Sequence, residues 1–174
     1  MEQLIGDLLK ITIPAGMILY AMYLVVKSFL TKDFERRMLD LKVKNNEILL
    51  PIRLQAYERM SLFLERIALH NIIVRVNDPS YNVAQFQHVL VMEIRNEFNH
   101  NLSQQVYMSD QLWILIKKAT EDNISTVNMA GSMLSSESRS IELARQVFEL
   151  QSVKNNDPTE PALLFLKAEI RKSF

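Results

Sequence analysis

The sequence predicts an all-α protein: an N-terminal transmembrane helix, then a juxtamembrane amphipathic helix, then a multi-helix bundle. Three observations carry that expectation. One uncharged apolar run lies near the N-terminus, and no second run of its kind follows. Downstream, apolar residues recur at intervals of three and four, the period of a helix face. Glycine and proline are scarce, at three and five among 174 residues. That scarcity disfavours multi-turn β architectures and glycine-rich phosphate loops. The expected organisation is an anchor over 1–30, a juxtamembrane helix over 31–51 and a cytoplasmic bundle over 52–174.

The anchor comes first. Residues 11–26 (ITIPAGMILYAMYLVV) carry no charge, and Lys10 and Lys27 bracket them. Ile11 and Val26 close the run at either end. The run alone is slightly short for a hydrocarbon layer of about 30 Å. Taken over 8–30 it makes about 34 Å of helix at 1.5 Å per residue. Pro14 and Gly16 fall in the first turns, where a transmembrane helix tolerates them. Tyr20 and Tyr23 sit nearer the middle and form no aromatic belt. A buried helix of a soluble bundle and a cleaved signal peptide are the competing readings. Glu2 and Asp7 make the leading segment acidic, and no A-x-A site follows, which argues against the signal peptide.

Orientation follows from basic residues. Before the run stand Lys10 and the terminal amine; after it come Lys27, Lys32, Arg36, Arg37, Lys42 and Lys44. The asymmetry predicts a single pass through the cytoplasmic (inner) membrane, N-terminus out and the C-terminal domain in the cytoplasm. The chain has 20 Lys+Arg against 20 Asp+Glu. That balance speaks against a nucleic-acid partner. The absence of cysteine excludes disulfides, thiolate metal sites and a cysteine nucleophile.

The next helix carries Phe34, Met38, Leu41, Asn45, Ile48 and Ile52, spaced 4-3-4-3-4. This is a heptad seam with one polar member. Two readings fit it: an amphipathic helix packed on its own domain, or a short parallel self-association helix below the membrane, giving a homo-oligomer. Pro51 interrupts the run and predicts a kink or break.

From residue 52 the bundle begins. Its first helix, expected to end near Leu69, places Ala56, Met60, Phe63, Leu64 and Ile67 on one face, with Leu54, Tyr57, Leu62 and Leu69 on others. Such breadth predicts a central helix whose charges, Arg53, Glu58, Arg59, Glu65 and Arg66, need partners. Hence the expectation of a polar interhelical cluster: Arg53, Glu58, Glu65 and Arg66 against Glu93, Arg95 and Glu97. The stretch 71–76 (NIIVRV) is rich in β-branched residues and reads as an extended connector. Asn82 with Gln85 predicts a helix N-terminus. The stripe Phe86, Leu90, Ile94, Phe98, Leu102 and Val106 predicts one helix to about Val106. Ser109 and Asp110 open another helix. Gly131 and the serines around it suggest a weak, solvated junction. A helix follows from Ile141, then a loop at Asn155, and a last short helix capped by Thr159 with Pro161 in its first turn.

Candidate chemistry is sparse. Glu97 and His100 have the E-x-x-H spacing of di-metal bundles, but no second copy exists. With Phe98 facing the core, His100 lies about 160° away and points out of the bundle. His70 reads as a C-terminal helix residue and His88 as a polar-face residue. No cofactor is implied. Asn101 and Asn123 begin N-x-S patterns, which have no meaning on the cytoplasmic side.

Residues 53–60 (RLQAYERM), 64–67 (LERI) and 93–110 (EIRNEFNHNLSQQVYMSD) resemble an uncharacterised family of small bacterial membrane-anchored helical proteins. The resemblance runs from the anchor to about residue 150. It implies a single N-terminal span and a helical domain, and no activity. The expected role is therefore a membrane-anchored interaction or scaffold protein, serving as an accessory subunit of a larger membrane complex in one version. The alternative is a ligand-binding or enzymatic domain with a polar site around Glu93, Glu97 and His100.

Overall fold

The computed structural model describes residues 2–154 and 157–172, the side chains at 2–11, 42, 45, 46 and 154 excepted. The side chains of Lys10, Ile11 and Asn45, and the expected loop residue Asn155, lie outside the described residues. Six α-helices are described: α1 (Glu2–Ile67), α2 (Leu69–Val76), α3 (Val83–Asn101), α4 (Asp110–Ser132), α5 (Ser140–Lys154) and α6 (Glu160–Arg171). A 3₁₀ helix, Leu102–Tyr107, follows α3. The protein is all-α, as its periodicity predicts. The chain divides into two units at the Leu50–Pro51 junction, inside α1.

In the first unit, the helical stretch Thr12–Leu41 contains an 18-residue window long and apolar enough to cross a membrane, with a mean hydropathy of 1.6 and none of it buried. Tyr20, Tyr23 and Val26 are exposed. The Lys27 Nζ lies 5.9 Å from the centre of the Tyr23 ring, a cation–π geometry. A Cβ added at Gly16 would meet nothing, so this glycine serves no close approach within the chain. Phe34, Met38, Leu41 and Ile48 are exposed, and nothing within their own unit covers them. Arg37 pairs with Asp33 one turn earlier, at 2.9 Å.

Helical structure runs unbroken through Leu50 and Pro51, where the sequence predicts a kink or break. Proline removes only its own N–H, so a single bond to the carbonyl of Glu47 is lost. Glu47 is exposed, and water can take that carbonyl.

The second unit holds the described core. Ala56, Tyr57, Met60, Phe63, Leu64 and Ile67 are buried along α1. Leu62, Glu58, Arg59, Glu65 and Arg66 are exposed, so this part of α1 is amphipathic rather than apolar all round. The helix stops at Ala68, whose ψ of 127° leaves the helical region. Its end is received by Asn123, whose Nδ2 donates to the carbonyl of Ile67 at 2.9 Å.

The stretch expected as an extended connector is helical, forming most of α2. Leu69, Ile72 and Ile73 are buried on one face of it. β-branched residues lose only tenths of a kcal/mol each in a helix. Burying an isoleucine returns about 1.5–3 kcal/mol, so burial decides. His70 accordingly sits in the first turn of α2, not at a helix C-terminus.

Asn82 and Gln85 close a reciprocal capping box at the start of α3. Phe86, Leu90 and Ile94 are buried, and Phe98 packs against the core. The stripe then lapses: α3 tightens to 3₁₀ geometry at Leu102, the residues rotate off the core, and Val106 is 74% exposed. Ser109 caps α4 through Leu112 N–H. α3 packs on α4 and α5, and α4 on α6.

The serine junction is tied rather than loose. Val83 N–H donates to Ser138 O at 2.8 Å, and Ser140 N–H to Tyr81 O at 3.1 Å. Gly131 is buried where a Cβ would meet the Gln87 amide, so the glycine admits α3 close to α4. Thr159 stands at the start of α6, but its side chain makes no cap; its N–H and hydroxyl both donate to Asp157.

Candidate functional site

Helical spacing assembles one polar cleft on the second unit. Arg59, Leu62, Phe63 and Arg66 recur at three and four along α1, so they share a face. Glu93, Asn96, Glu97 and His100 do the same along α3, on the side next to its buried stripe. The two faces and Asn101 line a cleft of about 520 Å³. Phe63 forms part of its floor and lies 6.1 Å from Phe98, which stacks on Trp113 at 5.5 Å.

The walls are joined by charge. Arg66 contacts Glu97 Oε1 through Nε at 2.7 Å and through a terminal nitrogen at 2.5 Å. Arg75, from α2, stands 3.6 Å from the same Glu97 oxygen and 3.9 Å from Glu93 Oε2. Glu97 is thus shared by two guanidinium groups. Arg59, expected to need a partner across the helices, makes no ion pair or hydrogen bond within the described residues; it is exposed, so water can solvate its charge.

Of the residues expected to form a polar interhelical cluster, the structure brings together Arg66, Glu93 and Glu97. Glu58, Glu65 and Arg95 are exposed and stand apart from the cleft. Arg53 turns instead to the Tyr57 hydroxyl, at 3.2 Å. His100 lines the cleft from its exposed side. Among the described residues, no group of three or more metal-type side chains converges.

A second, adjacent cleft of about 490 Å³ lies between Ile52, Gln55, Ala56 and Arg59 of α1 and the 3₁₀ helix. Ser103, Gln104, Val106 and Tyr107 form its other wall. Arg59 borders both clefts.

A family profile matches residues 3–173. The chain belongs to the family of unknown function DUF7935. No curated protein and no solved structure matches the chain. Membership of an uncharacterised family agrees with the resemblance carried by residues 53–60 and 93–110.

In this DUF7935 member a further polar junction involves none of the residues lining the clefts, and sequence reasoning missed it. Glu169 of α6 accepts from the Tyr57 hydroxyl at 2.6 Å and from Ser109 N–H at 3.0 Å. The Ser109 hydroxyl donates to its second oxygen. Burial pushes the Glu169 carboxyl up, but the bonds from Ser109 and Tyr57, with the Arg53 charge, outweigh it and hold it below its ordinary value. Burial and the same carboxylate push the Tyr57 hydroxyl up. The signal available in sequence was Tyr57 itself: a tyrosine on a core face needs a partner for its hydroxyl.

Both asparagines of the N-x-S patterns are buried, Asn123 fully. Asn101 donates to the carbonyl of Glu97. Their side chains serve the fold.

Proposed function

We propose that this chain is a single-pass membrane-anchored interaction protein, with its helical bundle on the cytoplasmic side of a bacterial inner membrane. One observation carries the reading: an apolar window of 18 residues within the helical stretch Thr12–Leu41, with none of the window buried in the protein. A core helix of a soluble bundle would bury that surface. Basic residues concentrated after the uncharged run support the orientation. The exposed seam of Phe34, Met38, Leu41 and Ile48 supports association with a second copy. A parallel partner held in the same membrane plane sits at high effective concentration.

Protease added outside intact cells tests the topology. The bundle should survive and should be digested only after the membrane is opened. Digestion in intact cells would reverse the orientation.

A second reading, a ligand-binding helical domain, draws on the cleft lined by Glu93, Glu97 and His100. Its volume lies in the range of small-molecule sites. Thermal-shift screening of the purified chain against a metabolite panel separates the two. A stabilising hit lost in Glu93→Gln would favour the ligand-binding domain.

A further inference from the structure

The strongest unassigned feature is the surface around Arg59. Cleft volumes of about 520 and 490 Å³ meet at this residue. On α1 the combined lining runs from Ile52 to Arg66, about 21 Å at the helical rise. Both clefts are open to solvent, which suits a peptide segment better than an enclosed small molecule.

The charge of this surface is uneven. Glu93 and Glu97 are answered by Arg66 and Arg75. Arg59 has no such partner within the described residues. The cleft linings carry Arg59 and Arg66 against Glu93 and Glu97, and Arg75 reaches both carboxylates from outside the linings, so the guanidinium left to take a further carboxylate is Arg59, where the clefts meet. Exposed apolar side chains lie to either side: Ile52 and Val106 in one cleft, Leu62 in the other. Binding a carboxylate at Arg59 would form a charge-assisted hydrogen bond at no cost to an existing pair.

We propose that the two clefts form one groove that binds an acidic segment of a partner protein, a carboxylate on Arg59 and apolar side chains on Leu62 and Val106. The inference rests on the interaction reading and names its docking surface and the chemistry of the partner. The recognised pattern is an acidic residue flanked on both sides by apolar ones.

The test uses the full chain in lipid nanodiscs and a displayed library of random twelve-residue peptides. Selection should enrich Asp or Glu between apolar residues. A synthetic peptide of the enriched sequence should bind about tenfold more weakly to Arg59→Gln, and weaker still to Arg59→Glu. Replacing its acidic residue by Lys should restore binding to Arg59→Glu and abolish it for the unaltered chain. Because Arg59 makes no pair, both variants should melt with the unaltered chain. Enrichment without an acidic position, or equal binding to all three proteins, would overturn the groove. So would efficient cross-linking of Leu62→Cys chains to one another, since a second copy would then occupy the surface. Peptide capture is read on isolated chains and does not depend on topology. A reversed protease pattern would therefore sink the anchored reading and leave the groove standing.

Discussion

The side-chain amide of Asn123 donates to the main-chain carbonyl of Ile67 across 2.9 Å, in a site with no solvent access. The bond satisfies a carbonyl that α1 leaves open where it stops at Ala68. The other amide atom, Oδ1, is buried and accepts nothing. Asn123→Ala should therefore destabilise the bundle by about 1–3 kcal/mol, the cost of orphaning a buried carbonyl. Asn123→Asp should cost more, on the order of 3–5 kcal/mol, because it buries a charge against that same carbonyl. Urea unfolding of the two variants checks the order; equal losses would refute it.

Glu97 should matter more than Arg66. Arg66 is 54% exposed while Glu97 is 14% exposed and shared with Arg75. Arg66→Ala removes one largely solvated pair, at about 0.5 kcal/mol. Glu97→Ala leaves two guanidinium groups facing each other and should cost about 1–2 kcal/mol. In a double-mutant cycle the loss for both together should fall short of the sum.

The junction at Glu169 sets a pH dependence with a definite sign. Its carboxyl is held below the ordinary value in the folded state. The stabilisation is therefore present above the unfolded-state value and is lost as pH falls through the folded one. The Tyr57 hydroxyl is raised, so its contribution holds below about pH 10 and is lost as pH rises beyond. Glu169→Gln should cost about 1–2 kcal/mol near neutrality, discounted for partial exposure, and should flatten the acid limb. Unfolding midpoints measured from pH 3 to 11 test both limbs.

Association through the first unit should depend on its exposed seam. Leu41→Asp should abolish dimer-sized products of in-membrane cross-linking while leaving the bundle's unfolding transition unchanged. Asn45→Leu should strengthen association and loosen its specificity, since a polar residue at a seam position sets register at a cost in stability. Unchanged cross-linking in Leu41→Asp would show that this face does not mediate association.

The helical architecture was legible because most of its signals are local. Asn82 and Gln85 announce a capping box by spacing alone, and Ser109 announces a cap. The α1 stripe at Ala56, Met60, Phe63, Leu64 and Ile67 reads directly from its period. What failed depended on tertiary context. Residues 71–76 carry a β-branched bias that burial of Ile72 and Ile73 overrides. Val106 continues a period of four that the backbone itself abandons at Leu102. The cleft was half legible: the polar residues of α3 were visible as a dense stretch, and Arg66 was among their expected partners. Arg75 was not, because the β-branched bias of the segment carrying it predicts a connector rather than a helix. Glu169 gave no local signal, since its partners lie 60 and 112 positions away.

That last separation bears on how the bundle assembles in time. Closing a loop of 112 residues ahead of other contacts forfeits about 4 kcal/mol of chain entropy. The α3–α4 and α4–α5 pairs close across short connections and forfeit far less. That difference predicts assembly outward from α3, α4 and α5, with the fastening of α1 to α6 through Tyr57 and Glu169 expected after the rate-limiting barrier. A bond made that late leaves the folding rate nearly untouched and acts on the rate of opening. On that order the Tyr57–Glu169 bond is expected to act as a kinetic latch: weakening it should shorten how long a completed bundle persists and leave how quickly it forms nearly unchanged.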